Sequence, residues 1–162
     1  MVIYVSGTKE DIHEIQDLVK HVLYTCSIID YPVSALEYVM SMNTEEYLSN
    51  DFDEGVYFLL VRNHSNQLIG IGCIDKTKLK RVFIHENYQK QGIGKEIMKR
   101  LLEYHNQHFH DEKQMNTQCS IELSATVSAF QLYSQFGFKT YKEIHSLEDG
   151  HIYLMRKNCF SI

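Results

Sequence analysis

Three apolar segments in succession, with no helix between them, constrain this chain more than any other feature. They are "VYFLLVR" (Val56–Arg62), "QLIGIGCID" (Gln67–Asp75) and "LKRVFIHE" (Leu79–Glu86). "NHSN" joins the first two and "DKTK" leads into the third, so they read as an antiparallel hairpin extended by one strand. The period then changes. Ile93, Ile97, Met98, Leu101 and Leu102 share one helical face, and Lys95, Glu96, Lys99, Arg100 and Glu103 share the other. "CSIELSA" (Cys119–Ala125) reads as a further strand. "TVSAFQLYSQF" reads as a short helix with Thr126 as its N-cap and Gly137 as its stop. "FKTYKEIHSL" and "HIYLMRK" close the chain as a hairpin around 148–150.

The N-terminal part is mainly helical. "VIYVS" is a first strand. Thr8 and Asp11 form a capping-box-like pair ahead of Ile12, Ile15, Val19 and Val22, which recur at helical spacing. Pro32 breaks that helix, and a second helical region covers Val33 to Leu48. The order is β-α-α-β-β-β-α-β-α-β-β. It predicts a single α/β (α+β) domain over residues 1–162, with a mixed, mostly antiparallel sheet of about seven strands.

Bulk properties exclude several classes of function. Asp plus Glu exceed Lys plus Arg by 21 to 16, and a net charge of -5 gives no support for nucleic-acid binding. No apolar run approaches the ~20 residues of a membrane span, and the N-terminus lacks the pattern of a signal peptide. These features point to a cytoplasmic protein without membrane association. In such a compartment Cys26, Cys73, Cys119 and Cys159, which form no CxxC pair, are expected to be free thiols.

Gly92 and Gly94 stand where the helix after the third strand should nucleate. The first turn of a helix carries unpaired N–H groups and the positive end of the dipole. Glycines there let a phosphate approach the backbone, and Lys90 and Lys95 add positive charge. A dinucleotide fingerprint fails, because Ile97 occupies its third glycine position, and the P-loop spacing is absent. Gly70 and Gly72 lie inside a strand and read as structural. A tight strand-to-helix turn without ligand is the alternative for Gly92 and Gly94.

A second segment bears on that choice. "Q-x-x-G-x-G" at Gln89–Gly94 and "L-x-A-x-x-x-A-x-x-L-Y-x-x-x-G-F" at Leu123–Phe138 occur in order. Together they resemble the two motifs of the GNAT N-acetyltransferase superfamily, over Leu79 to Phe138. The resemblance implies a GNAT-like domain with splayed central strands that binds acetyl-CoA as cosubstrate, without a metal. Gln89, Lys90, Gln91, Gly92, Ile93, Gly94 and Lys95 would form the pyrophosphate loop, chiefly through backbone N–H groups. The strand carrying Val82, Phe83 and Ile84 would pair with the pantetheine arm, and an N–H near Phe83 or Ile84 would polarise the thioester carbonyl. Thr126 would contact the cofactor. Tyr133 would protonate the departing thiolate. The chain departs from the pattern at Lys90, where glycine is common, at Gln91, where a basic residue is common, and at Thr126, near a position that is often asparagine. None of these removes the backbone cradle.

The implied reaction moves acetyl to a primary amine on a small molecule or a protein. Tyr133 also shares a helical face with Ala129, Leu132 and Phe136, so a plain core tyrosine is the competing reading. Glu122, His85 and Asp75 are candidate general bases, beside a relayed water. His105, His108 and His110 read as a solvated loop rather than a metal site. Cys73 and Cys119 read as inert strand thiols. Asp51, Asp53 and Glu54 could attract a cationic amine, although a solvated acidic turn is the simpler reading. The alternative function is a CoA-binding sensor without turnover, and a third is a plain interaction domain. Exposed strand edges are compatible with a homodimer.

Overall fold

A computed structural model describes residues 1–109 and 119–159. Seven strands form two sheets. β1 (Ile3–Ser6), β2 (Tyr57–Arg62), β3 (Leu68–Ile74) and β4 (Leu79–Ile84) lie in the order β1-β2-β3-β4. β5 (Ser120–Thr126), β6 (Lys139–Ser146) and β7 (Gly150–Asn158) lie in the order β5-β7-β6. Every pairing within the sheets is antiparallel. The sheets meet through a parallel bridge between Lys78 and Glu122, where the Glu122 N–H donates to the Thr77 carbonyl at 2.8 Å. Past that bridge β4 and β5 share no further pairing among the described residues, so the two strands open as a V.

Helices cover both faces of the first sheet. α1 (Ile12–Thr25), α2 (Val33–Ser41) and α3 (Glu45–Asp53) bury Ile15, Leu18, Val19, Leu36 and Leu48 against Phe58, Leu60 and Ile71. On the other face α4 (Ile93–His108) buries Ile97, Met98 and Leu101 against Leu59, Val61, Ile69, Ile121 and Met155. α5 (Phe130–Gln135) adds Tyr133 to that cluster. β2 and β3 are therefore buried on both sides, which explains their unbroken apolar runs. Gly72 lets α4 approach: a Cβ there would stand 2.5 Å from Ile97 Cγ2 and 2.8 Å from Leu101 Cδ1. The expectation that the strand glycines are structural is met at this position. Among the described residues no helix is long and apolar enough to cross a membrane.

Several expectations need correction. The helical region from Val33 is two helices. Thr44 caps the second by accepting the Tyr47 N–H at 3.2 Å, and that helix runs on to Asp53. Thr126 is not an N-cap. Its pairing opposite Ile152 keeps it in β5, and α5 starts after Ala129, whose N–H reaches the Thr126 carbonyl at 3.1 Å. His105 and His108 lie on α4 rather than in a loop. His105 is fully buried and donates to the Lys76 carbonyl at 2.9 Å. His110 lies outside the described residues.

The cysteine reading is also corrected. Cys119 and Cys159 form a disulfide with Cα atoms 5.3 Å apart, leaving Cys26 and Cys73 free. The register explains it. Ser120 opposes Asn158 at the end of the β5–β7 ladder, so the next residue on each strand meets its partner at bridging distance.

β4 is irregular. Cys73 pairs with Lys80 and Ile71 with Phe83, so Arg81 and Val82 together oppose the single residue Gly72. This is a β-bulge, and Arg81 sits in it with φ +54°. A left-handed non-glycine residue costs roughly 1–2 kcal/mol, and the surrounding contacts must hold it there.

Candidate active site

β4 runs along one wall of the V and delivers the chain to the start of α4. The loop between them is shaped by two left-handed residues, Lys90 at φ +59° and Gly92 at φ +86°. Gly92 is the N-cap of α4, and a Cβ built on it would meet nothing within 4 Å. The first intrahelical bond described runs from the Glu96 N–H to the Gly92 carbonyl at 3.1 Å. The N–H groups of Ile93, Gly94 and Lys95 therefore lack intrahelical acceptors. They sit at the positive end of a helix 16 residues long, with Lys90, Gln91 and Lys95 exposed around them.

Gly94 has a different purpose. A Cβ there would lie 3.2 Å from Leu132 Cδ2 and 3.3 Å from Ile84 Cδ1, so its absence lets α5 and β4 close around the first turn. Ile93 is buried beneath the loop. Gln89 turns inward, donating to the Ile84 carbonyl at 2.8 Å and to Cys26 Sγ at 3.6 Å, which braces the loop. Gln91 donates to the Asn87 carbonyl at 2.9 Å. Val82, Phe83 and Ile84 are half-buried on β4, and Thr126 ends β5 on the opposite wall with its hydroxyl 3.1 Å from that of Ser128.

Tyr133 is 5% exposed and belongs to the apolar cluster that includes Ile93, Leu123 and Ala125, against which Val82 and Ile84 pack. Its ring meets Phe138 edge-on with centroids 6.3 Å apart. Burial raises its phenol well above the ordinary range, so it carries its proton at neutral pH. The core reading of this residue therefore holds.

The mouth of the V is bounded by a tyrosine that sequence reasoning missed. Tyr31, between α1 and α2, donates to the His151 carbonyl at 2.8 Å and accepts the Val127 N–H at 3.0 Å. Ser34 donates to the Glu148 carbonyl at 3.0 Å, so the start of α2 is fastened over the β6–β7 hairpin. The only local signal is the Tyr–Pro pair, which marks a break and says nothing about the 120-residue separation.

The candidate bases are all engaged. Glu122 is ion-paired with Arg156 at the outer side of β5. Asp75 caps its own turn. Burial raises its pKa, but N–H bonds from Thr77 and Lys78 and the Lys80 ammonium outweigh that and lower it. His85 stacks on His21 with ring centroids 4.5 Å apart, and both rings reach Glu86. The acidic turn is not simply solvated either. Asp51 is buried against Arg81 and Lys80, and Asp53 pairs with Lys9 at 2.7 Å.

Comparison with known proteins fits this geometry. Residues 28–157 match the family model described as an acetyltransferase (GNAT) domain. No curated protein matches the chain by sequence. Among solved structures, the chain resembles PaiA N-acetyltransferase of Thermoplasma acidophilum in complex with coenzyme A. The TM-score is 0.70 at 18% identity, covering 98% of this chain and 99% of that one. A GNAT-family acetyltransferase of Staphylococcus aureus matches with TM-score 0.69 at 16% identity, over 98% and 99% of the two chains. The spermidine/spermine N-acetyltransferase SpeG of Vibrio cholerae matches with TM-score 0.60 at 15% identity, over 98% and 95%. These likenesses show the shared fold, and the family match covers well over half the chain: this protein is an acyltransferase of the GNAT acetyltransferase family.

Proposed function

We propose that the protein transfers an acetyl group from acetyl-CoA directly to a primary amine. The observation that carries the reading is the left-handed Gly92 at the head of α4, with open space where a side chain would stand, one short loop after a strand whose outer edge is unpaired among the described residues. A pyrophosphate fits that space through the N–H groups of Gln91 to Lys95, with Lys90 and Lys95 adding charge. Gln89 and Ile93 shape the loop from within. The edge of β4 at Val82, Phe83 and Ile84 would accept an extended amide-bearing arm as a neighbouring strand would, and Thr126 would face it from the other wall. PaiA, which binds coenzyme A, and SpeG, named for a polyamine acceptor, support the choice of donor and acceptor classes.

The chemistry asks little covalent help from the protein. The deprotonated amine attacks the thioester carbonyl, a C–N bond forms and the C–S bond breaks. A main-chain N–H of the bulged strand stabilises the charge that develops on the carbonyl oxygen. In this reading Tyr133 gives its proton to the departing thiolate, and burial keeps it protonated for that task. The proton lost by the amine leaves through a base or a relayed water. No metal enters this scheme.

The test uses the full chain. Coenzyme A should raise the melting temperature. Acetyl-CoA should then release free thiol when supplied with a polyamine, an amino sugar or a lysine peptide, at a rate above buffer hydrolysis. Absence of any stabilisation by coenzyme A would contradict the reading. Stabilisation without thiol release across the panel would favour a CoA-binding sensor.

A further inference from the structure

Arg81 is a charged residue in a left-handed conformation on the wall of the cleft, and its side chain points away from the cleft into the α2–α3 corner. The guanidinium is 6% exposed. Its Nε donates to Asn43 Oδ1 at 2.8 Å and its Nη2 to the Met42 carbonyl at 2.9 Å, while Nη1 is ion-paired with Asp51. The rings of Tyr47 and Phe58 lie 5.9 Å and 5.8 Å from its central carbon. Asn43 is itself fixed, donating to the Val39 carbonyl at 2.7 Å and accepting from Gln16 on its own carbonyl at 3.0 Å. Asp51 also faces Lys80, the residue before Arg81.

A buried ion pair is a weak source of stability, because desolvation offsets most of the Coulomb attraction and an apolar pair of similar volume often does as well. What such a pair supplies is geometry. Here the three tethers converge on the one residue of β4 whose backbone needs to be held, the bulge where two residues oppose Gly72 and one N–H is spared from the β3 ladder. Resting on the acyl-transfer reading above, we infer that Arg81 is a positioning residue. Through Asp51 and Asn43 it locks the β4 bulge, so that the spare main-chain N–H of the 81–83 segment points at the thioester carbonyl. It touches neither substrate. It connects the helices of the N-terminal half to the strand that carries the reaction.

The readout is the carbonyl stretch of bound acetyl-CoA, resolved by 13C isotope editing, taken with the dissociation constant and kcat. In the wild-type chain the stretch should fall below its value in water. In Arg81→Lys and Asp51→Asn it should return towards that value and kcat should fall about 10²-fold, while the dissociation constant for coenzyme A stays within about threefold, since the Gly92 cradle is untouched. The paired replacement Arg81→Met with Asp51→Leu keeps the corner filled and should fold at near wild-type stability, yet show the same loss of carbonyl shift. A wild-type shift preserved in these variants, or loss of coenzyme A binding in step with kcat, overturns the inference alone. A wild-type chain that leaves the bound carbonyl unshifted overturns the inference while thiol release to an amine still stands. A chain that binds no acetyl-CoA overturns both.

Discussion

Tyr133 answers two demands at once. Its ring fills the cluster that holds α5 against α4 and β5, and its phenol is the proton donor of the proposed reaction. Phenylalanine meets the first demand and not the second. Tyr133→Phe should therefore keep the melting temperature within a few degrees while kcat falls ~10²-fold or more, measured by thiol release under saturating acetyl-CoA. Because burial raises the phenol's pKa, the donor form persists through neutral pH and is lost only in strong alkali. The acid limb of kcat against pH should then lie at the same place in wild type and variant, since it reports the amine or its base. The two glycines of the cradle should separate as well. Gly92→Ala forces a left-handed alanine, a strain of about 1–2 kcal/mol on the fold, and its methyl group would enter the proposed pyrophosphate site, so coenzyme A affinity should drop at least tenfold. Gly94→Ala crowds Leu132 and Ile84 and should act mainly on stability. Calorimetric titration with coenzyme A beside a urea melt distinguishes the two.

At the scale of elements, the parts that were legible in the sequence are those fixed by local pattern. The meander of β2, β3 and β4, the amphipathic α1 and α4, the Thr8–Asp11 capping box and the Gly137 stop all follow from residues close in the chain. What escaped depends on register and distant contact. The break at Asn43 is hidden because the helical apolar pattern runs through it, and it becomes intelligible only when Arg81 is seen to take the Asn43 side chain. Thr126 has the composition of an N-cap, but pairing with β7 holds it in a strand. His105 looks polar in sequence, yet α4 turns it onto the Lys76 carbonyl inside the fold. Of the candidate site, the glycine turn at the head of α4 was legible because glycine at a helix start has few explanations. The Tyr31 bridge and the Arg81 tether were not, since each spans dozens of residues. One element contact can be tested directly. Gly72→Ala would place a methyl group inside van der Waals distance of Ile97 and Leu101. It should cost about 1–3 kcal/mol in a urea melt, with α4 displaced and acetyl transfer weakened in step.

For the whole molecule, the two sheets are joined at one bridge among the described residues and diverge beyond it, which makes the cleft. The Cys119–Cys159 disulfide staples the outer end of the second sheet. Alkylation of the unfolded, unreduced chain should label two thiols rather than four. Closing a loop of this size is worth about 4 kcal/mol in the chain-entropy account, so a reductant should lower the urea midpoint while leaving coenzyme A affinity largely intact. Stability should also decline in alkali. Burial pushes the Cys73 thiol up to about 12 and the Tyr133 phenol upward too, so the folded state binds these protons more tightly than the unfolded chain. Their contribution is complete below the ordinary thiol pKa of about 8.5 and is lost as pH rises towards the folded values. Urea midpoints at increasing alkaline pH should fall, and fall less in Cys73→Ala.

The central claim is direct transfer from thioester to amine. It is tested most directly by a single turnover with acetyl-labelled acetyl-CoA and excess amine, quenched at intervals and resolved by mass. The account predicts that label passes from acetyl-CoA to the amine with no acetylated protein at any time point. Label appearing first on the protein, on Cys26 for example, and then on the amine would contradict it.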